Sequence, residues 1–301
     1  MKTSMATLYT HQTANVAKTW ALMTGFLVLV IGLGWFFGLS LDMPWLLPVA
    51  IVISLVMNVA SYWWSDKIVL KLAGAHPAEK SQYYDLYTVT ENLAITAGLP
   101  MPKVYVIEDI APNAFATGRD KEHAVVAVTT GLLKILDRNE LEGVVAHELS
   151  HIGNRDMLLS TVIVVLVGFV ALLSDFFIRS TWFGGGDRDN KAGAILMIIG
   201  VVLAILSPIV ASIIQLSISR RREFLADSTA ALLTRYPEGL ASALEKISST
   251  GQPLKNARNA TAHLYIANPF GAEGRQKLNN LFSTHPPVGE RISILREMQV
   301  E

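Results

Sequence analysis

The sequence predicts a mainly helical α+β protein: a water-exposed domain with a small sheet, split by a membrane hairpin and carried on four transmembrane helices. Three observations predict this. Only 17% of the 301 residues are charged, below the roughly 25% of soluble domains. The deficit is confined to four stretches with no Asp, Glu, Lys or Arg, residues 19–41, 43–65, 157–174 and 192–219. Each reaches the length of about 18 apolar residues that crosses a hydrocarbon core, and the rest of the chain carries all 25 basic and all 25 acidic residues.

Taken in order, residues 1–65 form an N-terminal transmembrane hairpin with spans at 19–41 and 43–65. The first apolar run continues through Trp35, Phe36 and Phe37, longer than the about 7 to 15 residues of a cleaved signal peptide, so it reads as a retained helix. Asp42 and Pro44 make the turn. Residues 66–156 are the first part of the water-exposed domain. Tyr84, Leu86, Val89, Leu93 and Ile95 give residues 81–97 a helical pattern, Val104 and Val106 mark a strand at 103–107, and residues 124–128 read as a second strand. Leu141, Val144, Val145, Leu149 and Ile152 recur at helical spacing, and Gly153-Asn154 closes that helix. Residues 157–219 form a second hairpin, with spans at 157–178 and 192–215, and residues 220–301 complete the domain.

Orientation follows from the basic residues near the span ends. Lys2 and Lys18 precede the first span, Lys67 and Lys71 follow the second, and Arg220-Arg221-Arg222 follows the fourth. The loop from Arg179 to Lys191 argues weakly the other way. Both termini and both halves of the domain are therefore expected in the cytoplasm, on a multi-pass protein of the cell (inner) membrane.

Composition also excludes chemistry. There is no cysteine, hence no disulfide, thiolate metal site or cysteine nucleophile. Net charge is zero, and no basic patch exists beyond the arginine triplet, so no nucleic-acid partner is expected. A metal would have to be held by histidine and carboxylate.

His147-Glu148-Leu149-Ser150-His151 supplies such a site. Histidines four apart lie one above the other on a helix, so both imidazoles reach one cation, and the neighbouring Glu148 reaches a water on it. A catalytic zinc takes a third protein ligand and keeps one position open. Glu223, in Arg222-Glu223-Phe224-Leu225-Ala226-Asp227, is the best candidate. Asp227, one turn further, is placed to accept the outer ring N–H of a ligand histidine. The alternative for both acids is a solvated face paired with the adjacent arginines. The charges around this helix, Glu140, Glu142, Arg155 and Asp156, place the metal just outside the membrane surface.

These two segments resemble the HtpX-type membrane zinc metalloproteases, gluzincins related to the CAAX prenyl proteases. The resemblance extends over most of the chain, through Pro112-Asn113-Ala114-Phe115-Ala116-Thr117-Gly118, Val125 to Leu133, His285-Pro286-Pro287 and Arg291. It implies a zincin-like metallopeptidase domain holding one Zn2+ per chain on His147, His151 and Glu223, with Glu148 as the catalytic acid/base. It implies that Asn113, Ala114 and Phe115 belong to an edge strand that pairs with extended substrate. It also implies that His285 and Arg291 steady the substrate carbonyl and the developing oxyanion. The expected activity is a metalloendopeptidase that cleaves extended or unfolded polypeptides, above all misfolded or damaged membrane proteins, in quality control. A prenyl-protein processing protease and a non-catalytic membrane scaffold with a structural zinc site are the alternatives. The natural substrates and the oligomeric state are open at this level.

Overall fold

A computed structural model of the chain describes residues 8–40, 42–166, 168–170, 202, 220–258, 261–271 and 286–298. The expected fourth span, apart from residue 202, the loop before it, the end of the third span and His285 lie outside the described residues.

Helix α1 (Leu8–Ser40) and helix α2 (Leu46–Trp63) form the N-terminal hairpin. Within them Thr13–Leu39 and Leu46–Trp63 are long and apolar enough to cross a membrane. The first span thus begins earlier than the charge-free run implied, because Lys18 continues the helix. Asp42, at a positive φ of 54°, makes the turn. Gly34 allows the two helices to meet: a Cβ there would collide with the Cβ of Ala50, a close approach of the kind that membrane helices use. Trp20, Trp35, Trp45, Trp63 and Trp64 remain exposed on this hairpin.

Helix α3 (Ser65–Ala73) turns Val69, Leu70 and Ala73 inward and leads into strand β1 (Ala75–Pro77). Helix α4 (Tyr84–Thr96) follows, then strands β2 (Lys103–Ile107), β3 (Ala114–Thr117) and β4 (Val125–Thr129). The sheet order is β1-β2-β4-β3, with β2 and β4 parallel and both outer pairs antiparallel. Both faces of the sheet are covered, and its alternation shows it: Val104, Val106, Val126 and Val128 point into the main core, while Ile107, Val125 and Ala127 point into a second cluster with Phe115 and Tyr265. Strand β3 is left at an edge.

A short helix α5 (Thr130–Ile135) connects to α6 (Arg138–Gly153), the central helix. Its start is fixed by a reciprocal cap, in which the Asp137 carboxylate accepts the Glu140 N–H at 3.0 Å and Glu140 accepts the Asp137 N–H at 2.8 Å. Gly143 lets α6 lie directly on helix α9 (Pro237–Thr250); a Cβ there would stand 2.6 Å from the Leu240 nitrogen. Helix α7 (Met157–Val170) leaves α6 at a bend of 83°. Val162, Leu166 and Val170 of α7 pack with Met23 and Phe26 of α1. Helix α8 (Arg220–Thr234) packs along α6, and α10 (Val288–Glu297) packs on α9 and α8.

Candidate metal centre

Three helices and one chain corner converge on the site. Helix α6 carries His147, Glu148 and His151, and α8 carries Glu223 and Asp227 one turn apart. Helix α10 contributes Arg291, and Asp156 stands where α6 gives way to α7. Because α6 packs on the sheet and on three helices, the polar residues on its inward face are enclosed: His147 is 1% and Glu148 2% exposed.

The Nε2 atoms of His147 and His151 lie 3.2 Å apart, and each is 3.9 Å from a carboxylate oxygen of Glu223. One ligand atom from each residue falls within 4.8 Å of the others. Tetrahedral ligands at about 2.0–2.2 Å from zinc stand roughly 3.3 Å from one another, so the two nitrogens already fit and the Glu223 carboxylate needs only a small approach. Among the described residues this is the one group of three such ligands.

Each histidine is held from behind by a carboxylate. His147 donates its Nδ1–H to Asp227 Oδ1 at 2.9 Å, and His151 donates its Nδ1–H to Asp156 Oδ2 at 3.1 Å. Both bonds fix the ring so that Nε2, once it carries no proton, is the nitrogen turned to a cation. Asp227 is itself gripped by Arg291, whose Nε and Nη2 donate to its two oxygens at 2.9 and 2.7 Å.

The electrostatics follow from this enclosure. Burial pushes the Glu148 carboxyl up to about 7, with the Glu223 carboxylate adding to it; His151, the Ala116 N–H and Arg291 oppose the rise. Burial also works against a charged His151, yet the carboxylates of Asp156, Glu223 and Glu148 outweigh it and lift the imidazole to about 10. For His147, burial together with Arg291 prevails over Asp227, and its pKa falls. A +2 ion placed between these residues would meet two histidine nitrogens and a concentration of acceptor oxygens, which is the donor set that zinc takes.

The other expected residues are placed as follows. Arg291 is fully buried on the far side of His147, engaged with Asp227 and with the Ile266 carbonyl at 3.3 Å. Arg291 is not among the residues that line the cleft with Glu148 and His151. Asn113, Ala114 and Phe115 do lie at the sheet edge, but the chain itself meets them there. The Ile266 N–H donates to the Ala114 carbonyl at 2.9 Å. The Asn113 amide donates to the Ala267 carbonyl at 3.0 Å and accepts its N–H at 3.2 Å. Phe115 packs edge-on against Tyr265. Ala116, whose N–H donates to Glu148, is the β3 residue that lines the cleft. Sequence reasoning missed Asp156 as a partner of His151; its one available signal was position, five residues beyond that histidine at a helix corner.

The model for Peptidase family M48 matches residues 80–299, which include α6, α8 and α10. A protein described as a protease HtpX homolog in Caldanaerobacter subterraneus subsp. tengcongensis is 46% identical over 301 residues, covering 98% of this chain and 99% of that relative. Proteins of the same description are 46% identical in Pyrococcus furiosus, over 94% of this chain and 96% of the relative, and 50% identical in Dictyoglomus thermophilum, over 83% and 81%.

Proposed function

The chain belongs to peptidase family M48 and is a membrane metalloprotease, and from that premise we propose that it is an integral membrane zinc endopeptidase acting on extended segments of misfolded or damaged membrane proteins. The observation that carries the proposal is the convergence of His147 Nε2, His151 Nε2 and the Glu223 carboxylate beside the buried Glu148.

In this reading His147, His151 and Glu223 hold one zinc. An ion held there would supply Lewis-acid polarisation of the scissile carbonyl and would bring the pKa of a bound water toward about 7. Glu148 accepts the proton of the attacking water and delivers it to the leaving amine, a task suited to a carboxyl whose burial already raises it to about 7. The Ala116 N–H orients that carboxyl. Asp227 orients His147, and Arg291 balances the Asp227 charge, so that Arg291 acts by positioning rather than on the oxyanion. The place for His285 beside the substrate rests on the family resemblance alone.

Substrate would lie along β3 as an added strand, recognised mainly through its main chain, which gives broad sequence tolerance. Since Ile266 occupies Ala114, the pairing would begin at Ala116. Four spans, divided into hairpins at 1–65 and 157–219, would carry the catalytic halves 66–156 and 220–301 on the cytoplasmic side of the cell membrane. The basic residues flanking the spans support that orientation.

The test compares wild type with Glu148→Gln in lipid, scoring zinc content and cleavage of an unfolded protein such as casein. The proposal expects equal zinc in both and cleavage only in wild type. Cleavage undiminished in Glu148→Gln would overturn the assignment of Glu148.

A further inference from the structure

We propose that Asp156 is a positioning residue of the metal centre, whose carboxylate sets the orientation and donor strength of His151. The inference rests on the zinc reading above and adds a residue to it.

The argument starts from the helix corner. Asp156 immediately precedes α7, and Ser160 donates its N–H to the Asp156 carbonyl at 3.2 Å. An aspartate in that position ordinarily turns its side chain to accept an N–H of the first helical turn. Here it does not. Oδ2 reaches back to His151 Nδ1 at 3.1 Å, and Oδ1, buried as well, has no hydrogen-bond partner among the described residues. A buried carboxylate oxygen left without a partner is unfavourable, so the capping role has been given up for the contact with His151.

That contact differs from its counterpart on His147. The Asp227 charge is divided between His147 and the two-point grip of Arg291, whereas Asp156 turns a carboxylate oxygen on His151 and its second oxygen meets no partner among the described residues. A carboxylate at Nδ1 makes imidazole a stronger donor at Nε2, and it locks the ring rotation that aims Nε2 at the cation. The 4% exposure of Asp156 keeps water from substituting for it. Its site at the 83° bend also fastens a metal ligand to the start of α7, the helix that packs against the N-terminal hairpin.

The experiment is a zinc competition titration of the full-length protein in detergent against a chromogenic chelator, using wild type, Asp156→Asn and Asp156→Ala. Thermal unfolding of each is recorded without metal. Removal of such a partner weakens metal binding by about 10- to 100-fold. That loss is expected in Asp156→Ala, with a smaller loss of at least roughly fivefold in Asp156→Asn, which keeps an acceptor but not the charge. Either folded variant binding zinc as tightly as wild type overturns the proposal, as does a change confined to the metal-free unfolding temperature. Failure of wild type itself to bind zinc would overturn the metal reading beneath it, a result distinct from wild-type binding shared by both variants.

Discussion

His147 and His151 present their Nε2 atoms to each other across 3.2 Å while their Nδ1 atoms point away, each onto its own aspartate. Two imidazoles held in this way form half of a tetrahedral site before any ion arrives. The arrangement predicts that His147→Ala and His151→Ala each reduce bound zinc from about one per chain to about a tenth or less after dialysis, since a structural or catalytic zinc site does not retain its ion with two protein ligands. Elemental analysis of the purified variants checks it, and full occupancy in either one would contradict it.

The Arg291 guanidinium, fully buried, is held by the Asp227 carboxylate and the Ile266 carbonyl. Arg291→Leu therefore leaves the Asp227 charge enclosed with only His147 to meet it. Breaking a buried pair from one side destabilises by about 3–5 kcal/mol. Thermal unfolding in detergent is expected to show that loss, with Arg291→Lys less affected. A variant with unchanged stability but abolished turnover would instead place Arg291 on the reacting groups.

The buried titratable groups give the metal-free protein a definite pH dependence. His151, lifted to about 10 chiefly by the Asp156 carboxylate against the effect of burial, contributes stability that is complete below about 6.5 and is lost as pH rises toward about 10. Glu148, raised by burial to about 7, keeps its proton longer in the folded than in the unfolded chain. Its contribution is likewise greatest at low pH and disappears between about 4.3 and about 7. Zinc binding runs the other way, because its ligands must be deprotonated. The interval between the unfolding temperatures of the zinc-loaded and metal-free protein should widen from about pH 6 to about pH 9. A constant or narrowing interval would contradict the account.

Asn113 holds both the N–H and the C=O of Ala267. In Asn113→Ala these two groups lose their partner, at about 1–3 kcal/mol for each one that stays buried. Hydrogen exchange at the Ile266 and Ala267 amides should accelerate together, since both belong to the segment fixed on the β3 edge. If exchange there is unchanged and only the KM for a peptide rises, Asn113 is a substrate contact rather than a fastening of the 265–267 segment.

How much of this was legible beforehand depended on how local the code was. His147, Glu148 and His151 could be read from spacing alone because four residues make one helical turn, and Glu223 with Asp227 repeats that logic on a second helix. The strand at 103–107 announced itself by valines at period two, and the strand read at 124–128 lies one residue later, at 125–129. Strand β1 did not: Ala75-His76-Pro77 is too short to show an alternation and exists because Ile107 and Val106 provide its partners. Asp156 resembled any charge at the end of a membrane segment, and its contact with His151 arises from the 83° bend, which no local pattern records. The capping of Ala114 by Ile266 joins residues 152 positions apart, and the place of Arg291 behind His147 depends equally on packing between distant helices.

The most direct measurement of the central claim is zinc K-edge X-ray absorption on the zinc-loaded, full-length protein. The account predicts a coordination shell at about 2.0–2.2 Å made of two imidazole nitrogens and carboxylate or water oxygen, with one imidazole lost in His151→Ala. A shell without imidazole scattering, or one unaltered in that variant, would contradict the site built from His147, His151 and Glu223.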